Sequence, residues 1–564
     1  MMLRPLQIRS FATLRFHTQW RRALPIVVLA CLSAFPSLSV AQSSARIESL
    51  VEAGTLDGMR WPSFRHYQQN LRELYASISY APVWIQGTVL SPQALSMIQL
   101  FHDAWKKGLE PEDYDASRWD GRQQALQRSN AEAAEMDVAL TVSAMRYISD
   151  LRVGRINPRQ VAFDLTVEQK KYDLAHFLRE RLLSAPNIPS VLESIEPPFI
   201  GYRRTQEALI HYVELARVDD GEQLPVPVKP IEHGQSYPGL ARLVRLLRLV
   251  GDLPPEPVQP IVPQHYDDTL VDAVKRFQRR HGLDDDGRIG AATVKQLNVP
   301  LTDRVRHLKL TLERWRWLPT EFSSPPIVVN IPDFRLRALA PDNSVSMDMR
   351  VVVGKAMRTE TPVFSREMRY VVFRPYWVVP ASIVHHQIIP ALKRDRNYLA
   401  KHRYEVTTHN GTVITSGAIS NAVLAQLQTG KLTVRQKPGP KNSLGLVKLM
   451  FPNEHHVYLH STPSTELFSR ARRDFSHGCI RVQQPAALAA WALRNNPGWT
   501  LERVEQAMQS GHDNVTVNLA ERIPVFIIYG TALAYGNDEV HFYDDLYGHD
   551  AKLARAFSQG YAHP

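Results

Sequence analysis

The sequence predicts a multidomain chain: an α-helical support domain, a small helical module, and a mostly-β C-terminal domain with a few helices. Three observations carry this. The 564 residues suffice for about three or four folded units at roughly 150 residues each. Apolar residues recur at helical spacing from about residue 58 to 218, and from residue 326 the period shortens to that of strands. With 44% hydrophobic and 22% charged residues, the composition is globular rather than disordered.

The N-terminus comes first. Arg4, Arg9, Arg15, Arg21 and Arg22 precede an apolar run from Ala23 to Phe35, then Ser39-Val40-Ala41. Positive, hydrophobic, then small-x-small is the order of a secretory signal, cut most simply after Ala41. A second cut is open at Val28-Leu29-Ala30-Cys31, a loose lipoprotein box that would leave Cys31 lipidated. Either reading exports the protein. The whole chain carries +11, and without the first 41 residues +6 remains; this mild excess suits an acidic polymer and does not argue for nucleic acid. No apolar run reaches the roughly 18 residues needed to span a bilayer, which argues against a polytopic membrane protein.

Export sharpens the cysteine count. There are two cysteines, Cys31 and Cys479. With Cys31 removed or lipidated, Cys479 is a single free thiol in an oxidising compartment, a liability unless it is buried or needed.

Residues 58–218 place Leu71, Leu74 and Ile78, then Ala139, Val142 and Met145, then Leu174, Leu178 and Leu182 on helical faces. The polar stretch 218–236 reads as a linker. Leu240, Leu243, Leu246 and Leu247 form the next amphipathic face, followed by a connector rich in proline, Pro254 to Pro263. In residues 266–298, Leu270, Val274 and Phe277 share a helix face, Gly282 and Gly287 turn the chain, and 293–297 form a short helix. The run Asp284-Asp285-Asp286-Gly287 fails as a calcium loop, because Arg288 and Lys295 fall at ligand positions five and twelve. This stretch, with AV-x-x-FQ, HGL, DG and a late Thr-x-x-x-Leu, resembles the small three-helix peptidoglycan-binding module.

A helix over 303–317 leads to the β region. Strands are expected at 327–331, 334–339, 347–353, 370–373, 432–436, 444–450, 457–460 and 525–529, with helices at 383–393 and 485–494.

The chemistry concentrates in Tyr458-Leu459-His460-Ser461 and Ser476-His477-Gly478-Cys479-Ile480-Arg481. An imidazole beside a thiol can lower its pKa and take its proton. Gly478 permits a sharp turn before Cys479, after which the Gly478 and Cys479 amides would face a developing oxyanion. A lone cysteine is more often a small apolar core residue. A zinc sphere from His456, Tyr458, His460, His477 and Cys479 is the sharper rival, but no second cysteine or acidic ligand recurs at metal spacing. No metal and no cofactor are expected.

His460, fifteen residues, then Ser476-His477-Gly478-Cys479-x-Arg481 is similar to the signature of the L,D-transpeptidase (YkuD-like) catalytic domain. Thr361-Pro362, Pro438 to Gly445, and Tyr376-Trp377-Val378-Val379-Pro380 match other pieces of that family. The domain order resembles its large Gram-negative subgroup. The resemblance implies 1–41 as signal peptide, 42–236 as helical scaffold domain, 237–300 as peptidoglycan-binding module, 301–319 as connecting helix and 320–564 as catalytic domain, with a lid-like insertion at about 380–435 that orders on substrate. It implies that Cys479 attacks the diaminopimelate carbonyl of a tetrapeptide stem, with His460 as base held by the Ser461 carbonyl. His477, Gly478, Ser476 and Arg481 would shape the pocket, and Tyr458, Trp377 and Asn442 would line the approach. The expected outcome is a 3→3 peptidoglycan crosslink in cell-wall and cell-shape biogenesis, made in the periplasm by an enzyme that carbapenems acylate. The partners are peptidoglycan stems and glycan, and other cell-wall synthases are candidates. An L,D-carboxypeptidase using the same thiol, or a non-catalytic wall-binding scaffold, stay open as alternatives.

Overall fold

The computed structural model describes residues 35–126, 128–255, 264–536 and 539–561. Most of the expected signal segment, with Cys31, and Pro257, Pro260 and Pro263 of the connector lie outside them. The first helix, α1 (Phe35–Ala53), begins ahead of Ala41 and runs through the expected cut. Pro36 at its first turn is compatible with helix, since a missing N–H costs nothing there. Among the described residues, no helix is long and apolar enough to cross a membrane.

The scaffold packs around α2 (Asn130–Val153), which is buried along most of its length. Ser129 caps its start by accepting from the Glu132 amide. Its end at Gly154 abuts α7 (Leu301–Arg316) of the connecting region, where a Cβ would meet Glu313 Oε1 at 2.6 Å. Another scaffold helix, α3 (Ile200–Val218), lies along α7.

The module comprises α4 (Leu240–Leu249), α5 (Asp268–Arg280) and α6 (Ala291–Leu297). Its sequence motif has a structural reason. The buried Gln278 side chain donates to Asp286 Oδ1 (3.0 Å), the Arg288 carbonyl (3.0 Å) and Thr293 Oγ1 (3.1 Å), and accepts from the Gly287 amide (2.8 Å). One glutamine thereby ties the aspartate turn to the last helix.

The C-terminal region is a sheet of nine strands. In chain order they are β1 (Ile327–Asn330), β2 (Arg335–Leu339), β3 (Val345–Gly354), β4 (Phe364–Phe373), β9 (Val447–Met450), β10 (Leu459–His460), β11 (Asp474–Ser476), β12 (Ile480–Val482) and β13 (Val515–Ile528). Between β4 and β9 the insertion supplies β5 (Trp377–Val378), β6 (Tyr404–Thr407), β7 (Val413–Thr415) and β8 (Thr433–Gln436). The large sheet runs β11-β3-β12-β10-β9-β4-β13-β1-β2, and an additional β2–β3 pairing closes it on itself. Its interior residues, among them Val329, Leu336, Val353, Val371, Leu449, Leu459, Ile480 and Ile527, share one core with Val153, Ile156, Val161 and Phe163 of the scaffold.

Strands β4 and β13 are longer than the sequence suggested. Strand β10 is shorter, because the Asn453 side chain takes both backbone groups of Val457 (2.7 and 3.1 Å) and removes that residue from the ladder. The helices Leu501–Gln509 and His549–Ser558 were not anticipated. The insertion is a folded unit: its four strands form a separate sheet, β5-β8-β6-β7, over its own core of Val379, Leu392, Val406, Leu427 and Val434. Asn410 and Gly411 lie in the hairpin that joins β6 to β7.

Candidate active site

Register and side-chain alternation build the site. Strand β10 runs antiparallel to β9, with His460 opposite Lys448, and parallel to β12, with His460 opposite Arg481 and Leu459 opposite Ile480. Because successive side chains alternate faces, Leu449, Leu459 and Ile480 point into the core while Lys448, His460 and Arg481 share the other face. Tyr458 and Cys479, one step further out, fall on that same face.

Cys479 sits at the end of a constrained turn. Ser476 Oγ donates to the Cys479 carbonyl (2.5 Å) and accepts from the Gly478 amide (3.1 Å). Thr361 Oγ1 donates to the Gly478 carbonyl (2.8 Å) and accepts from the Gly354 amide (2.8 Å), while Thr359 Oγ1 donates to the Ser476 carbonyl (2.8 Å). Gly478 has φ +110°, a conformation that glycine adopts without strain. The Gly478 amide is thus engaged by Ser476, which differs from the expectation that it faces an oxyanion.

The half-buried thiol donates to the His456 carbonyl at 3.5 Å and is hydrogen-bonded by the Tyr458 hydroxyl. Burial pushes the Cys479 pKa up from 9.0, against Tyr458, Lys448 and Arg481, which pull it down. The Tyr458 pKa is raised by burial and by the thiol. Its ring lies 5.7 Å from that of His460, edge to face, and Lys448 Nζ lies 5.8 Å from the Tyr458 centroid.

His460 is 4% exposed. Its Nδ1 lies 2.6 Å from the Ser461 carbonyl; since a carbonyl can only accept, Nδ1 carries the proton and a neutral ring keeps Nε2 as acceptor. Burial lowers its pKa to about 3, opposed by the Ser461 and Leu444 carbonyls and reinforced by Arg481 and Lys448. Gly445 lets the β9 approach pass this close: its φ is +62°, and a Cβ would meet Ser461 Oγ at 2.2 Å.

The remaining expected residues separate into two groups. His477 is exposed, with its Nε2 3.1 Å from the amide nitrogen Nε2 of Gln387 in the insertion; the amide must donate, so the imidazole nitrogen accepts. Arg481 faces the site, its pKa lowered by burial and drawn up by Glu466 and Cys479. Trp377 is half-buried on β5, opposite Gln436, and belongs to the insertion sheet. Asn442 does not line an approach: it is 1% exposed, and its amide donates to the carbonyls of Pro375, Gln436 and Lys437 while its oxygen accepts from the Leu444 amide. It shapes the loop before β9.

Lys448, Thr359, Gly354 and Gln387 were missed. The alternation Val447-Lys448-Leu449 puts Lys448 opposite the core residues, but only the strand pairing brings it beside His460.

Comparisons with known proteins divide the chain in the same order. Residues 69–209 match the model of a scaffold domain, residues 238–297 that of a putative peptidoglycan binding domain, and residues 325–517 that of the L,D-transpeptidase catalytic domain. A putative L,D-transpeptidase of Haemophilus influenzae is 30% identical over 261 residues, covering 46% of this chain and 50% of the relative. The chain thus spans about half the length of that curated relative. A crystal structure of an L,D-transpeptidase from Xylanimonas cellulosilytica is 16% identical and covers 54% of this chain and 100% of its own, with a TM-score of 0.17; that score carries no argument.

Proposed function

We propose, on the premise that residues 325–517 are an L,D-transpeptidase catalytic domain, that this chain is a cysteine acyltransferase that forms 3→3 crosslinks in peptidoglycan. The observation that supports it most is the single sheet face shared by Cys479, Tyr458, His460, Lys448 and Arg481, with His460 held as a neutral base by the Ser461 carbonyl.

In this reading the Cys479 thiol gives its proton to His460 Nε2 as sulfur attacks the diaminopimelate carbonyl of a tetrapeptide stem. The tetrahedral oxyanion meets the positive field of Lys448 and Arg481, which share the sheet face of Cys479. His460 returns the proton to the departing amine, the C–N bond breaks, and D-alanine leaves a thioester. The side-chain amine of a second stem then attacks, passes a proton through His460 and expels the thiolate. The insertion, touching His477 through Gln387, limits water access to the thioester. The work takes place in the periplasm, with export through the N-terminal segment, and the same thiol is the site of carbapenem acylation.

The test is mass spectrometry of the protein incubated with disaccharide tetrapeptide beside a Cys479→Ala control. Crosslinked dimers lacking one D-alanine, absent from the control, are expected. Tripeptide monomers without dimers would assign the carboxypeptidase instead, and no Cys479-dependent product would leave a wall-binding protein.

A further inference from the structure

A cleft of about 560 Å³ lies between the module and the catalytic domain, and its lining does not include Cys479 or His460. One wall is the module turn from Arg279 to Asp285; the other comes from β2, β3, the segment Ser469 to Arg473, and the chain around Tyr535 to Leu546. The volume is in the range of small-ligand sites, roughly 300–1,000 Å³. Gly282 of the module closes one end, where a Cβ would meet the Tyr543 ring at 3.0 Å.

The cleft lining mixes seven arginines with the carboxylates Asp284, Asp285, Asp333, Asp348, Glu539 and Asp544, so what matters is which arginines are left unpaired. Arg335 and Arg337 are paired with Asp348 and Asp333. Arg350, Arg470 and Arg473, on the catalytic-domain wall, have no carboxylate partner among the described residues. Arg473 is buried and rigid, donating to the carbonyls of Val351 (3.2 Å), Ala471 (3.0 Å) and Phe334 (3.1 Å). Burial, helped by Arg350 and Arg335 and opposed by Asp333 and Tyr543, lowers its pKa to about 10. Arg350 and Arg470 are exposed; the Arg350 guanidinium donates to the Phe468 carbonyl (2.9 Å), and Arg470 lies over Phe475. Tyr535 and Tyr543 also line the cleft.

We infer that this cleft is a second peptidoglycan subsite, in which Arg350 and Arg470 hold carboxylates of stem peptides that are not reacting. Guanidinium groups without an internal partner recognise carboxylates by paired, charge-assisted hydrogen bonds. The subsite is coupled to the chemistry by chain connection: Arg473 leads directly into β11 (Asp474–Ser476) and the turn that presents Cys479. A strand held here is held at a fixed offset from the thiol. The inference rests on the peptidoglycan reading above, in naming the ligand.

The test is cosedimentation of the full chain, carrying Cys479→Ala, with purified sacculi over a range of salt. The double variant Arg350→Ala/Arg470→Ala is expected to bind roughly tenfold more weakly, with a shallower salt dependence. The charge-retaining Arg350→Lys/Arg470→Lys pair should stay close to the parent, which separates lost charge from lost folding. Soluble disaccharide tetrapeptide should compete, and the same compound with its carboxyls amidated should not. Unchanged binding by the alanine pair, or equal competition by the amidated compound or by inorganic phosphate, would overturn the inference. Dimer formation by the Cys479 parent is assayed alongside: its absence sinks the proposed function and leaves the binding comparison readable.

Discussion

Two regions bury charge, and they treat it in opposite ways. At the seam between scaffold and catalytic domain, Glu313 and Arg316 of α7 are both almost fully buried and paired at 3.4 Å. Glu313 also accepts from the Ile156 amide (2.7 Å), and Lys170 donates to the Arg316 (2.5 Å) and Leu318 (2.8 Å) carbonyls. Nearby, Asp550 joins Arg314 and Thr531, and Tyr561 near the C-terminus reaches back to Asp150 (2.9 Å). Each charge there meets an opposite charge, a backbone group or a hydroxyl, although Arg314 Nε and Nη2 and Arg316 Nε keep no hydrogen bond. On the Cys479 face, burial is similar, but among the described residues no carboxylate forms an ion pair with Lys448 or Arg481, Glu466 acting on Arg481 only from a distance. Buried groups with internal partners define how domains dock; cations without them are available to a thiolate, an oxyanion or a substrate carboxylate.

The sharpest contrast is between losing the base and losing a seam charge. His460→Gln keeps a donor for the Ser461 carbonyl and removes the proton acceptor. Acyl transfer should fall by about 10²–10⁴-fold with little change in melting temperature, measured by single-turnover acylation and calorimetry. A matching fall in stability would assign His460 to the fold. Glu313→Ala should do the reverse. Leaving Arg316 buried without its carboxylate costs about 3–5 kcal/mol of stability, while activity per folded molecule stays near the parent. If denaturant unfolding shows less than about 1 kcal/mol, the seam pair is dispensable and the comparison collapses.

Lys448→Met comes next in size. Without that cation the thiolate loses a stabilising charge, so thiol alkylation should slow roughly tenfold at neutral pH and its pH dependence should move upward. Iodoacetamide kinetics measure both, and an unmoved profile would remove Lys448 from the site.

The pH dependence sharpens the comparison most finely. His460 has a pKa of about 3 rather than 6.5, and Cys479 lies above 9.0. The neutral thiol–imidazole pair therefore persists across neutral pH, and kcat/KM should lack an acid limb near 6.5. Stability behaves differently. His460 and His549, both lowered to about 3, bind protons more weakly folded than unfolded. Their contribution is present above pH 6.5 and is lost as pH falls from there towards 3. Asp150, raised to about 7 by burial, has the opposite sign: it favours the folded state at low pH and loses that contribution as pH rises through 7. Acid limbs in rate and in folding should thus be separable by following circular dichroism alongside activity.

Local chemistry in the chain specified a good deal. Period-two alternation located most strands of the large sheet, and helical spacing located α4 to α7, because each pattern reports the face a residue must bury. The turn Ser476-His477-Gly478-Cys479 was legible because a glycine at positive φ before Cys479 is a local requirement of the chain. Tertiary structure decided what spacing cannot encode. It placed Lys448 beside His460 through strand register, moved Asn442 from a lining residue to a loop brace, and engaged the Gly478 amide with Ser476. It also joined the scaffold and sheet cores and opened the arginine-lined cleft between module and catalytic domain. The physical reason is that periodicity states which face is buried, whereas register and docking depend on partners hundreds of residues away.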